Sequence, residues 1–222
     1  MDFFMAMLTI KQLSKRYDRE FVFGNINLQL EQKEFLVVVG EDGCGKTTFM
    51  KLLAGLEEPS QGEIFLDNEP VYRGAPAQSD LAVVFEKSAL YQDMTVYQNI
   101  AYALRLKKCA KQEIKERVEQ AMDLMSVTEL SGRKPKKLTE EQSQRVMLAR
   151  AIAKKPKLLL LDEPFRGFGR EAQKEIHQCL NDLYQKMDTI FVYATRLSPD
   201  VNRMATQILH LEEYCQEEEE SA

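Results

Sequence analysis

The sequence of 222 residues lacks any long hydrophobic run. Its longest uninterrupted apolar stretch covers the six residues from Phe3 to Leu8, whereas spanning a bilayer takes ~18 to 20. No basic region precedes that stretch, so we do not interpret it as a signal peptide. A role at a membrane would therefore depend on a partner.

Cysteine and histidine are scarce, with four and two residues respectively. The spacing of the cysteines, at positions 44, 109, 179 and 215, matches no zinc-binding pattern, and we expect free thiols. The two histidines are too few and too far apart to suggest a metal site. These absences argue against a zinc module and against a disulfide-stabilised secreted domain.

The net charge of −5 comes from the carboxyl-terminal end of the chain. Six glutamates follow Leu211, and without them the body of the chain carries a charge of +1. We interpret residues 212–222 as a solvated, disordered tail. The body shows no strongly basic pattern, which argues against a nucleic-acid partner.

The most informative motif is a glycine-rich loop, in which residues 40–48 read G-E-D-G-C-G-K-T-T. The apolar run Phe35–Val39 before it predicts a buried strand, and residues 47–55 predict a helix. A loop in this context wraps backbone N–H groups around nucleotide phosphates, with the helix N-terminus directed at the anion. Lys46 would reach the β- and γ-phosphates, and the Thr47 hydroxyl would bind Mg²⁺.

A second motif, L-L-L-L-D-E-P at residues 158–164, is an apolar strand that ends in two carboxylates. In phosphate-loop proteins the aspartate at this strand end, here Asp162, positions Mg²⁺. The adjacent Glu163 can act as general base on an attacking water. The two motifs together predict a nucleotide-binding protein.

The hydrophobic periodicity predicts an α/β body interrupted by a helical insert. Strands are predicted at residues 7–13, 25–30, 35–39, 62–67, 81–85, 157–162, 189–194 and 206–211. Helices are predicted at residues 47–55, 96–107, 111–125, 140–154 and 170–187. We assign residues 1–86 and 156–211 to a nucleotide-binding core, 87–155 to a helical subdomain and 212–222 to the acidic tail.

The chain resembles the ATP-binding subunits of ABC transporters over nearly its whole length, above all the ATPases of bacterial sugar importers. Besides the two motifs, the resemblance is carried by L-S-K-R-Y at 13–17, V-V-F at 83–85, A-L-Y at 89–91, M-T-V-Y-Q-N-I at 94–100, Q-R-V at 144–146 and L-A-R-A-I at 148–152. It implies a P-loop ATPase core with an antiparallel β subdomain and an inserted helical subdomain. It also implies ATP and Mg²⁺ as ligands.

The resemblance gives roles to individual residues. Tyr17 would stack on adenine, and the alternative is a half-buried aromatic at a strand end. Glu86 and Asp162 would hold Mg²⁺ together with Thr47. The nucleotide would otherwise be bound by the loop and the start of its helix, through Gly40, Gly43, Gly45, Lys46, Thr47 and Thr48.

The resemblance also implies partners. Such ATPases are peripheral subunits at the cytoplasmic face of a membrane, where residues 87–99 would receive a helix of the permease subunit. The apolar residues of this segment could equally be local packing, namely Leu90, Tyr91, Met94 and Val96. Family members form head-to-tail dimers, in which each ATP lies between the phosphate loop of one subunit and a Leu-Ser-Gly-Gly-Gln signature of the other.

The signature position departs from this pattern and reads L-T-E-E-Q at residues 138–142. Thr139 and Gln142 form a capping-box pattern that suits a helix start. Glu140 and Glu141, however, add negative charge beside a γ-phosphate, and one pair of like charges costs about 3 kcal/mol at roughly 5 Å and an effective dielectric of ~20. The alternative is that both glutamates point to solvent and ATP still docks.

Four further positions depart from the family on the γ-phosphate side. Glu86 replaces a glutamine, and Gly169 stands at the end of a loop that lacks the usual aspartate of the dimer interface. Arg196 replaces a histidine that holds the γ-phosphate, although it could instead pair with a nearby carboxylate. Asp42 replaces a serine or asparagine and adds another unfavourable charge.

We therefore expect a subunit that binds Mg-ATP, hydrolyses it weakly or not at all, and pairs with a different, competent ATPase subunit. Two alternatives stay open. One is an ordinary homodimeric importer ATPase that tolerates the substitutions, and the other is a soluble regulatory module that uses the fold without transport. The sequence identifies neither the cargo nor the direction of transport.

Overall fold

The computed structural model describes residues 7–18, 20–71, 80–86, 89–196 and 203–216. Its strands are β1 Met7–Tyr17, β2 Glu20–Glu31, β3 Phe35–Val39, β4 Gln61–Leu66, β5 Glu69–Pro70, β6 Leu81–Phe85, β7 Leu158–Asp162, β8 Ile190–Thr195 and β9 Gln207–His210. Its α-helices are α1 Lys46–Leu53, α2 Val96–Leu106, α3 Lys111–Leu124, α4 Glu140–Ala153 and α5 Arg170–Lys186. Across these described ranges, no helix is both long and apolar enough to cross a membrane.

The strands form two sheets of different kinds. An antiparallel sheet has the order β2-β1-β4-β5, and a parallel sheet has the order β6-β7-β8-β3-β9. Every residue of β3 and of β7 is buried. Both strands are continuous apolar runs because parallel strands are covered on both faces. The predicted α/β class with an antiparallel part is confirmed.

The core occupies both faces of the parallel sheet. On one face, Leu36 and Val38 pack with α1 against the antiparallel sheet. On the other, Phe35 and Val37 pack in one cluster with the buried residues of α2 to α5. Successive side chains of a strand point to opposite faces, so β3 supplies both clusters.

Helices α2, α3 and α4 pack on one another and follow β6 in the chain. A buried amide, Asn99, fixes the loop that leads into α2, since it donates to the carbonyls of Tyr91, Met94 and Thr95 at 3.0–3.2 Å. It also accepts the N–H of Tyr91 at 2.8 Å. The Asn99 side chain therefore makes four of the hydrogen bonds that hold the segment before α2.

Most element boundaries differ from the sequence prediction by one or two residues, and the differences are larger in β1, in β2 and at the acidic tail. Strands β1 and β2 pair from Met7–Glu31 to Tyr17–Glu20, so both are longer than the hydrophobic alternation indicates. The prediction of a disordered tail from Glu212 is wrong for its first residues, because Leu211–Tyr214 form a 3-10 turn. Residues 217–222 lie outside the described ranges.

The turn at Leu211–Tyr214 is ordered by contacts with the glycine-rich loop. Glu212 Oε1 accepts the backbone N–H of Glu41 at 2.7 Å. The Cys215 thiol donates to the carbonyl of Cys44 at 3.4 Å. These contacts connect the carboxyl-terminal end to the loop.

Candidate phosphate-binding site

The parallel sheet gathers residues that are far apart in the sequence at one edge. The strands β6, β7 and β8 are in register through Phe85, Asp162 and Ala194, and β3 ends beside Thr195. Parallel strands place their carboxyl ends at the same edge, where α/β proteins bind ligands. The glycine-rich loop, Glu86, Glu163 and Arg196 follow these strand ends directly.

The glycine-rich loop has no room for side chains at two of its glycines. A Cβ atom on Gly40 would lie 2.3 Å from Cys44 Sγ, and one on Gly45 would lie 2.6 Å from Val22 Cγ1. Gly45 also adopts a left-handed backbone with φ of 98°, at the N-cap of α1, and supplies no capping side chain. The N-cap residue therefore offers no side chain to the first N–H groups of α1, and backbone N–H groups at a helix start can bind anions.

Lys46 is folded into this loop and is only 5% exposed. Its ammonium group donates to the carbonyls of Gly40 and Glu41 at 2.7 and 2.8 Å. It also lies 3.2 Å from Glu163 Oε1. The lysine thus stands between the loop and the end of β7, at the position from which it can reach a phosphate.

The residues predicted to hold Mg²⁺ fit that ion. Asp162 is 2% exposed, and among the described residues its Oδ1 atom has no hydrogen-bond partner. Burial raises the pKa of Asp162, while a hydrogen bond with Thr47 acts in the opposite direction. An unpartnered buried carboxylate is costly, and a carboxylate beside a hydroxyl offers the hard oxygen ligands that Mg²⁺ prefers. Glu86 is close enough for its charge to favour the neutral form of Asp162.

Glu163 has an unusual backbone that directs its side chain into the site. Its φ is 42°, in the left-handed region, and its N–H donates to the carbonyl of Ala194 at 3.0 Å. The Oε2 atom lies 3.4 Å from Arg166 Nη1, and the other oxygen faces Lys46. Both oxygens of the predicted base therefore face cations.

The altered positions Asp42 and Arg196 are joined by an ion pair. Arg196 Nε donates to Asp42 Oδ1 at 2.9 Å, and a second guanidinium nitrogen contacts Oδ2. Arg166 Nη2 donates to the same Oδ2 at 2.9 Å. Hydrogen bonds, first from Arg196 and then from Arg166, lower the pKa of Asp42.

These contacts correct the prediction that Asp42 adds an uncompensated charge, because two arginines neutralise it. They also favour the second interpretation of Arg196, in which it pairs with a carboxylate. Sequence reasoning missed Arg166, which reaches Asp42, Glu163 and, at 3.8 Å, Glu86. Its only sequence signal was a cation three residues after the predicted base.

Tyr17 ends β1 and is 40% exposed. Its hydroxyl donates to Glu57, and the ammonium group of Lys15 lies 4.6 Å from the ring centroid. Burial and the hydrogen bond to Glu57 raise the pKa of Tyr17, and Thr48 of α1 also hydrogen-bonds the phenol. The structure thus brings Tyr17 beside α1, and stacking on adenine stays a prediction.

The signature position starts α4 with the predicted capping box. Thr139 Oγ1 accepts the N–H of Gln142 at 3.2 Å, and the Gln142 side chain accepts the N–H of Thr139 at 3.1 Å. Glu141 pairs with Arg145 at 3.1 Å, and Arg145 reaches Glu175 of α5 at 3.2 Å. Glu140 is exposed.

The remaining predicted positions are divided between core and surface. Gly169 is the N-cap of α5 and supplies no capping side chain. Leu90 and Val96 are buried in the core, whereas Tyr91 is 46% exposed and Met94 is half-buried. Leu90 and Val96 are thus local packing, whereas contact of this segment with a permease helix stays a prediction. Residues 87–88 lie outside the described ranges.

Comparison with known proteins places this site in a family. A family model described as ABC transporter matches residues 23–166, which include both motifs. The oligosaccharides import ATP-binding protein MsmX of Bacillus subtilis is 40% identical over 206 residues, with 92% of this chain and 56% of MsmX covered. The sn-glycerol-3-phosphate import ATP-binding protein UgpC of Bordetella avium is 38% identical over 192 residues, with 86% of this chain and 53% of UgpC covered. The chain therefore spans about half the length of the curated relatives it matches.

Two solved structures share the fold. The structure of cbiO1 from Clostridium perfringens matches with a TM-score of 0.81 at 24% identity, over 92% of this chain and 85% of that one. The ATP-binding cassette MJ0796, in a dimeric post-hydrolysis state bound to ADP and Pi, matches with a TM-score of 0.80 at 23% identity, over 92% of this chain and 95% of that one.

Proposed function

Because the chain belongs to the ABC transporter family, whose ATPase members bind ATP with Mg²⁺, we propose that it is the ATP-binding subunit of an importer with impaired hydrolysis. The observation that supports impaired hydrolysis is a cluster of ion pairs on the side where the γ-phosphate would bind. This ion cluster consists of Asp42, Lys46, Glu163, Arg166 and Arg196. In it Asp42 is held by two arginines and Glu163 by two cations. Phosphoryl transfer depends on positioning and charge stabilisation, so groups that are already paired contribute less.

Binding is supported by the groups that surround the other phosphates. The N-terminus of α1 and Lys46 would hold the β-phosphate, and Thr47 with Asp162 would hold Mg²⁺, which neutralises phosphate charge when bound. For hydrolysis, Glu163 would have to accept a proton from water. In this site an attacking water competes with Lys46 and Arg166 for the same carboxylate.

We further propose that the chain pairs with a different, competent ATPase subunit. Glu140 and Glu141 place negative charge where a partner's γ-phosphate would dock on α4, although Arg145 offsets part of it. The pair would bind permease subunits at the cytoplasmic face of a membrane. Residues 87–99 would provide the contact, with Tyr91 as its exposed aromatic.

The cargo is proposed only as a class, a sugar or a similar solute. The relatives are named for oligosaccharides and for sn-glycerol-3-phosphate, and others, PotA proteins, for spermidine and putrescine. We also keep residues 1–86 and 156–211 as a nucleotide-binding core and 87–155 as a helical subdomain. Packing of α2, α3 and α4 on one another supports that division.

The experiment that tests the proposal measures Mg-ATP binding and turnover together, on the purified chain and on its complex with the permease. We expect saturable binding with negligible turnover by the chain alone. Brisk hydrolysis at this chain's own site, abolished by Glu163→Gln, would instead establish the homodimeric ATPase. That alternative is favoured by the intact set Lys46, Thr47, Asp162 and Glu163. If the chain is purified from cells with no membrane protein bound to it, the interpretation as a soluble regulatory module would be favoured.

A further inference from the structure

The carboxylate of Asp42 is bound as a phosphate oxygen pair would be. Arg196 approaches it with two nitrogens, one on each oxygen, and Arg166 adds a third donor at 2.9 Å. The planar fork of a guanidinium fits a carboxylate and a phosphate in the same bidentate way. The two arginines therefore already hold an anion that belongs to the protein itself.

This internal anion lies on the γ-phosphate side of the site. The P-loop lysine reaches the β- and γ-phosphates, and the base carboxylate faces the γ-phosphate. From Lys46 a continuous series of contacts runs through Glu163 at 3.2 Å and Arg166 at 3.4 Å to Asp42 at 2.9 Å. Of the groups assigned to the β-phosphate, Lys46 begins this series, whereas the backbone N–H groups at the start of α1 lie outside it.

We infer that Asp42 occupies, with its carboxylate, the anion position that a γ-phosphate would take between Arg166 and Arg196, so that the site selects nucleoside diphosphates over triphosphates. The inference rests on the proposed function, since it concerns the same nucleotide site, and it specifies the nucleotide.

A third phosphate has two ways to enter, and both are unfavourable. It can displace Asp42 from the arginines, which leaves an exposed carboxylate next to the phosphate chain. Alternatively, it can lie beside the ion pair and share the guanidinium donors with Asp42, so that each contact is weakened by the nearby carboxylate. A diphosphate requires neither change, because its terminal phosphate ends at Lys46 and at the start of α1. The third phosphate therefore meets arginines whose charge Asp42 already partly neutralises, and it gains less attraction than it would without Asp42.

The test compares the affinities of Mg-ADP and of a Mg-bound, non-hydrolysable ATP analogue, by displacement of a fluorescent nucleotide from the full chain. For the native protein we expect the diphosphate to bind more tightly than the triphosphate. Asp42→Ser removes the internal anion from both arginines and leaves Arg166, among the described residues, paired with Glu163 and Glu86. We expect it to strengthen triphosphate binding about tenfold, a modest gain because the charges are exposed and screened by solvent. Diphosphate binding should stay within about twofold of the native value.

A matched control is Asp188→Ser. Asp188 is also an exposed aspartate paired with a cation, Lys33 at 3.0 Å, but it precedes β8 at the opposite edge of the parallel sheet. We expect it to change neither affinity. Native protein that binds the triphosphate as tightly as the diphosphate, or more tightly, would overturn the inference, as would Asp42→Ser shifting both nucleotides equally. Binding of neither nucleotide would instead overturn the proposed function, and the inference with it.

Discussion

The ammonium group of Lys46 lies 3.2 Å from a carboxylate oxygen of Glu163, where the phosphate loop meets the end of β7. Both side chains are largely shielded from water, at 5% and 11% exposure. The pair joins the group that binds phosphate to the group that would activate water. Any ligand that draws Lys46 toward its phosphates also weakens the hold of Lys46 on Glu163.

Replacement of Lys46 by methionine should abolish nucleotide binding, with a loss of about a hundredfold or more for a charge-assisted contact to phosphate. Methionine preserves the apolar stem of the side chain and removes only the cation. Titration with a fluorescent nucleotide measures the effect. Lys115→Met, which removes an exposed cation of α3 paired with Glu119, is the control and should bind normally. Unchanged affinity in Lys46→Met would contradict the site.

Neutralising the signature position should promote dimerisation around ATP. The double substitution Glu140→Gln and Glu141→Gln removes two charges and keeps good helix formers. In a Glu163→Gln background, to prevent turnover, we expect more ATP-dependent dimer by analytical ultracentrifugation, either with the partner subunit or with itself. Glu113→Gln with Glu116→Gln, an equal change of charge on α3, should have no effect. The electrostatic argument is wrong if both double variants behave alike.

Thr139→Ala should destabilise the chain by about 1 kcal/mol, because it removes the side-chain oxygen that caps α4. Thr95→Ala removes the same kind of capping box from α2 and should cost a similar amount. Urea unfolding measures both losses. Ser143→Ala, one turn into α4, leaves the cap intact and serves as the control. A loss confined to Ser143→Ala would contradict the role of the cap.

The ion pair between Lys157 and Asp67, 2.5 Å apart, predicts a pH-dependent contribution to stability. The hydrogen bond with Asp67 raises the pKa of Lys157. The contribution is therefore complete below the ordinary lysine pKa of ~10.4 and is lost as the pH rises through the raised value. Because Lys157 is about half exposed, Lys157→Met should cost less than ~1 kcal/mol at pH 7. The difference from the native protein should shrink in urea unfolding above about pH 11; a constant difference would exclude this pair as its cause.

The sequence predicts best the strands that form unbroken apolar runs. Strands β3 and β6 are found with the predicted bounds, because strands covered on both faces appear as unbroken apolar runs. The start of α4 was equally predictable, since Thr139 and Gln142 satisfy backbone groups three residues apart. These elements depend on residues that are close together in the sequence, so the sequence pattern is enough to predict them.

Contacts between residues far apart in the chain could not be predicted from the sequence. Asp42 meets Arg166 and Arg196 only because three strand ends converge at one edge of the parallel sheet. From the sequence, Asp42 was an unfavourable charge, Arg196 was a replaced histidine and Arg166 had no assigned role. Only their proximity identifies them as one ion cluster. The ordered turn at Leu211–Tyr214 likewise depends on the loop against which it packs, through the N–H of Glu41.

The left-handed backbone of Glu163, with φ of 42°, means that stability and chemistry make opposite demands on this position. A residue with a Cβ atom is disfavoured there by about 1 kcal/mol, whereas glycine would adopt the same conformation freely. Selection of variants for heat resistance alone would thus favour loss of this carboxylate. A protein that keeps the Glu163 carboxylate at this position therefore retains a functional group at a cost to its stability.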